Sequence, residues 1–118
     1  MSIVPELAAM DGVIAAGEYS YRGDRFSCEG EMTDDMARMA SIMCRSTSLA
    51  VHMQMDMIKN LGYECGCTPA RGWVVNGDKF SVCVIANHFC FIQNDNVSLN
   101  SVMSYMRENV PDQEGQLV

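Results

Sequence analysis

The 118-residue chain has no long hydrophobic run and few basic side chains, prolines or histidines, and each shortage closes off a class of function. No uninterrupted apolar segment approaches the roughly 20 residues that cross a bilayer. Eight Lys and Arg stand against fifteen Asp and Glu, a formal net charge of −7. Nucleic-acid binders neutralise phosphates with basic side chains, so this balance excludes nucleic acid as a partner. It also argues against attraction to an anionic membrane surface. The first ten residues lack a basic start, carry Glu6 and are too short for the apolar core of an export signal, so a cytoplasmic location is expected. Phosphate loops, dinucleotide fingerprints and nucleophile elbows are all missing. Gly62, Gly66 and Gly72 are too sparse to cradle a phosphate. We therefore expect no catalytic residues, no cofactor and no metal; small molecules and other proteins remain as partners.

Sulfur, by contrast, is plentiful: six cysteines and eleven methionines. A domain of this size hides roughly two-thirds of its unfolded surface, so it needs no disulfide staples. In a reducing cytoplasm the cysteines are expected as thiols. Cys65 and Cys67 stand one residue apart in Gly62–Trp73, GYECGCTPARGW. Such a pair can close a strained, reactive disulfide. Redox pairs are usually C-x-x-C at a helix start, where the dipole favours the thiolate, whereas this pair follows a helix end. Structural zinc would need two more ligands, and only His52, His88 and Cys44 offer themselves. The alternative is a connecting loop whose thiols are packed or idle. Cys44, Cys83 and Cys90 lie on apolar faces and read as small core residues, while Cys28 falls on an edge-strand candidate. His88 sits in a hairpin turn, and His52 and Asp56 are spaced as a surface ion pair on a helix.

The order of elements is legible from local signals. Val4–Met10 reads as a short helix with Pro5 in its first turn, and Val13–Tyr19 and Arg25–Glu31 as a hairpin. Thr33 is a helix N-cap followed by Asp34 and Asp35, and nothing breaks the helix until Gly62. On a wheel of about 100° per residue this long helix has one narrow polar stripe: Asp34, Arg38, Ser41, Arg45, Ser48, His52, Asp56 and Lys59. On one side of it lie Ala37, Ala40, Cys44, Val51, Met55 and Ile58, and on the other Met39, Met43, Leu49, Ala50, Met53 and Met57. A surface helix of a monomer needs one apolar face; this one has close to two. Strands follow at Gly72–Val75, Phe80–Ala86 and Phe89–Gln93, with turns at Asn76-Gly77 and Asn87-His88. Ser98 caps a last helix through Asn109, and residues 110–118 read as a flexible tail after a single domain of residues 1–109. The last two strands are apolar on both faces, which predicts an antiparallel sheet covered by helices on both sides.

This order, with MDGVIAAGEYSYRGDRFSCEGE at the start, resembles the roadblock/dynein light chain family from about Val4 to Asn109. The segments MARMASIMC and GWVVNGDKFSVCV resemble a small prokaryotic branch of that superfamily, of unknown function. The resemblance implies an α+β, profilin-like fold with a five-stranded antiparallel sheet in order 2-1-5-4-3. A long helix would cover one face and two shorter helices the other. It also implies a homodimer made by third-strand edges and long helices, acting as a non-enzymatic scaffold or regulatory adaptor. Implied onward partners are a small GTPase or an enzyme complex of sulfur oxidation.

The interface expected on these grounds comprises Met39, Met43, Leu49, Ala50, Met53, Met57, Trp73 and Val75, with Trp73 either anchoring it or covering the core. The competing expectation is a thiol-based accessory of sulfur or redox metabolism, associated with a heterodisulfide-reductase-like system and working through Cys65 and Cys67.

Overall fold

The structure, a computed structural model, describes residues 3–62, 71–94 and 99–110. Three helices, α1 (Val4–Ala8), α2 (Asp34–Asn60) and α3 (Leu99–Asn109), accompany five strands: β1 (Val13–Tyr19), β2 (Phe26–Gly30), β3 (Gly72–Asn76), β4 (Phe80–Ile85) and β5 (His88–Gln93). The strands form one antiparallel sheet in the order β2-β1-β5-β4-β3. The fold is thus α+β with the expected strand order.

Side-chain alternation along the central strands builds two cores. Ala16, Cys83, Ile85, Cys90 and Ile92 point to one face, where Leu7 of α1 and Val102 and Met106 of α3 cover them. Tyr19, Val84 and Phe89 point to the other, under Ala40 and Cys44 of α2. Gly17 of β1 is registered with Phe89, and a Cβ there would collide with the Phe89 ring and the Ser27 carbonyl. The glycine that weakens the strand by propensity is what lets this ring approach the backbone of β1.

The long helix starts and stops where its local chemistry dictates. Thr33 Oγ1 accepts the Met36 N–H at 3.2 Å, and Gly62 takes φ +90°, the left-handed conformation that closes a helix. Between them α2 runs 27 residues, about 40 Å.

Three turn and terminus expectations need correction. The β4–β5 turn falls at Ala86-Asn87, not Asn87-His88, and the positive φ (54°) is on Ala86. His88 is held in the strand opposite Glu18, and Asn87 spends its amide on the Tyr19 carbonyl at 2.7 Å. Asn76-Gly77 does not form a two-residue hairpin. Asn76 stays in β3, paired with Ser81, whose hydroxyl donates to its side-chain oxygen at 2.7 Å. Finally, Val110 belongs to the core, 3% exposed, with its N–H bonded to the Met106 carbonyl. The expected Ser98 cap and the rest of the tail lie outside the described residues.

Candidate functional site

The two sides of α2 differ sharply. Its buried row is short and small, Ala37, Ala40, Ser41 and Cys44, which lets the helix axis lie close to the sheet. Its outer row is Met36, Met39, Ile42, Met43, Leu49, Met53, Met57 and Leu61, each between 48% and 72% exposed. At 3.6 residues per turn the two rows lie on nearly opposite sides of the helix. No charged residue interrupts the outer row from Met39 to Leu61; Ser46, Gln54 and Asn60 are its polar members. Contiguous exposed apolar surface of this kind marks a contact site in a folded protein.

The polar stripe is the corresponding correction. It was expected to face solvent, yet its middle turns toward the sheet. Ser41 is buried and donates to the Ala37 carbonyl at 2.8 Å, and Arg45 Nε donates to the Tyr21 carbonyl at 2.7 Å. Ser48 Oγ receives the Trp73 indole N–H at 2.7 Å and meets the Tyr19 hydroxyl at 3.3 Å. Burial of polar side chains is tolerable because each finds a partner. With those residues inward, the methionine side is left outside. The expected ion pair between His52 and Asp56 does not occur among the described residues.

Of the eight expected interface residues, Met39, Met43, Leu49, Ala50, Met53, Met57 and Val75 are exposed. Trp73 is half-buried, packed in the core beneath α2. Its strand, β3, pairs only with β4, so one row of backbone donors and acceptors stays open along this edge among the described residues. Val75 and, at the start of β4, Phe80 are exposed beside it at 57% and 52%.

Cys65 and Cys67 lie outside the described residues. The four described thiols are free: Cys44, Cys83 and Cys90 are buried as expected, and Cys28 is half-buried. Burial pushes the Cys44 thiol up to about 12. Cys83 and Cys90 face each other across β4 and β5. The Cys90 thiol donates to Cys83, which pushes Cys90 up and holds Cys83 below its ordinary value. Cys83 Sγ in turn lies 3.6 Å from Met106 Sδ. Burial, then Glu29 and Asp34, raise Cys28. None of these settings makes an accessible thiolate.

Sequence reasoning missed one buried polar pair. His88 is 4% exposed, and its Nε2 is 3.2 Å from Glu18 Oε2. Burial lowers the His88 pKa against the opposing pull of Glu18, and its Nδ1 has no partner. The available signal was parity: Glu18 shares a strand face with Ala16, which α1 and α3 cover. An open cleft of about 320 Å³ lies at this end of the sheet, lined by Tyr19, Arg25, Phe26 and Asn87 among others. Of its polar groups Glu18 is engaged by His88 and the Tyr19 hydroxyl by Ser48 and the Ala86 carbonyl, while Asn87 Oδ1 has no partner. A ligand site needs convergent free polar groups, and this cleft offers few.

Among the described residues, no helix is long and apolar enough to cross a membrane, and no three His, Cys, Asp or Glu side chains gather as a metal site. The fold and its surface define a small α+β protein with an uncovered apolar helix face. The chain belongs to the family described as "Uncharacterized conserved protein (DUF2173)", whose model matches residues 3–108, from α1 to the last turn of α3. No curated protein and no solved structure matches it.

Proposed function

We propose that this chain acts as a homodimeric adaptor, pairing through the outer face of α2 and the open β3 edge and working by protein contacts without chemistry of its own. The observation that carries the reading is the uncharged row from Met39 to Leu61 on the side of α2 away from the sheet. A two-fold axis lays such a row on its own copy, and an isologous contact needs only one self-complementary patch. Each chain carries a formal charge of −7, so two copies meet at least electrostatic cost where the surface is uncharged. The resemblance to the roadblock family points to the same pairing. On that resemblance, the dimer serves a small GTPase or an enzyme complex of sulfur oxidation. Light scattering at micromolar concentration tests the reading: a mass twice 13.1 kDa is expected. Met53→Glu with Met57→Glu should return it to one chain while leaving the circular dichroism unchanged. A wild-type monomer would overturn the proposal.

A further inference from the structure

Sulfur is distributed unevenly between the inside and the outside of this molecule. Among the described residues a single methionine, Met106, is fully buried; the rest of both cores is Val, Ile, Leu, Phe, Ala, Tyr and Cys. The exposed large apolar side chains include five methionines, Met36, Met39, Met43, Met53 and Met57, and all five are on the outer row of α2. Leucine would supply similar apolar area with equal helix propensity. What methionine adds is a flexible thioether that peroxides oxidise to a polar sulfoxide, a change that reductases reverse.

We infer that Met39, Met43, Met53 and Met57 are modification sites, at which a peroxide forms methionine sulfoxide and thereby releases the paired chains. This inference rests on the homodimer proposed above. In each step a sulfur lone pair attacks one peroxide oxygen and the O–O bond breaks. Sulfur is oxidised by two electrons, peroxide is reduced, and the departing hydroxide takes the remaining proton to leave water. The new S=O is a strong acceptor placed against a facing row made mostly of thioether and hydrocarbon, in which Ser46, Gln54 and Asn60 are the few donors. Pairing covers the thioethers, so oxidation runs through the separated chain. Its rate should fall as protein concentration rises above the dissociation constant. Sulfoxide at these positions should then raise that constant about tenfold or more.

The test uses the full chain and hydrogen peroxide, read by sedimentation and by mass-spectrometric mapping. Three results are expected: treated protein sediments as one chain with sulfoxide at the four positions; a methionine sulfoxide reductase restores the pair; and oxidation slows at higher protein concentration. The variant Met39→Leu/Met43→Leu/Met53→Leu/Met57→Leu should pair and stay paired in peroxide. Persistence of the pair despite sulfoxide at the four sites overturns the inference, as does failure of the four sites to oxidise. Release of the leucine variant by peroxide overturns it too, because other sulfurs, Met36 or the cysteines, would then be responsible. The reductase arm acts on wild-type protein and decides the matter even if the variant misfolds. If untreated protein is a single chain, the homodimer reading is what fails, and this inference falls with it.

Discussion

Trp73 and Ser48 join the third strand to the long helix: the indole N–H donates to the serine oxygen at 2.7 Å, across 25 residues of sequence. The same oxygen meets the Tyr19 hydroxyl at 3.3 Å, so one small side chain on α2 ties down two aromatic residues of the sheet. Ser48→Ala strands the indole N–H in a half-buried setting. A loss of about 1–3 kcal/mol is expected, seen as a lower urea midpoint with an unchanged slope. Ser48→Thr, which keeps the oxygen, should lose less.

His88 sets a pH dependence whose sign follows from its burial. Its pKa is held below the ordinary histidine value of about 6.5. Between the two values the unfolded chain binds a proton that the folded chain refuses, so stability falls with acid. The urea midpoint should be flat above neutrality, begin to fall below about pH 6.5, and level off once pH passes the depressed value. His88→Gln, which keeps a donor for Glu18, should flatten that window. Asp24 acts separately: the Ser20 hydroxyl holds its carboxyl below the usual range, so its influence is confined to pH below about 4.

Gly17→Ala tests the closeness of β1 to the Phe89 ring. The added methyl meets both that ring and the Ser27 carbonyl, and a cost of about 1–3 kcal/mol is expected in equilibrium unfolding. Repeating the change in a Phe89→Leu background should reduce the cost without abolishing it, because the carbonyl stays in place.

The thiols should separate by accessibility. Brief alkylation of native protein, mapped by mass spectrometry, should label Cys28 ahead of Cys44, Cys83 and Cys90. The three core thiols should react only after urea unfolds the chain. Labelling of Cys44 in folded protein at pH 8 would contradict a thiol pushed up to about 12.

The features legible in the sequence are those governed by near neighbours. Thr33 caps a helix through an amide three residues away, and Gly62 ends it with its own backbone. The apolar parity of β4 and β5 needs no knowledge of what covers them. Orientation of α2 was not legible, because a serine on a helix wheel looks like surface until its donors are known. For Ser48 the hydrogen-bond partners are Tyr19 and Trp73, 29 and 25 residues distant. His88 and Glu18 stayed hidden for the same reason: β1 and β5 become neighbours only once the whole sheet assembles. The β4–β5 turn slipped by one residue because that pairing outweighs the local ease with which asparagine takes positive φ. The methionine row itself was visible as a second apolar side of the helix, although which side faced out had to come from the fold.

The two borders of the sheet are chemically unequal. The border at β2 contains Glu29 within the strand and is flanked by Arg25 and Glu31, whereas the five residues of β3 carry no charge and only Arg71 adjoins them. Charge on a border strand discourages further backbone pairing, and a neutral border permits it. A molecule with one permissive border and one guarded border can join a single neighbour by that route. Among the described residues the sheet then offers one such end and not two, and fibre growth by edge pairing needs both.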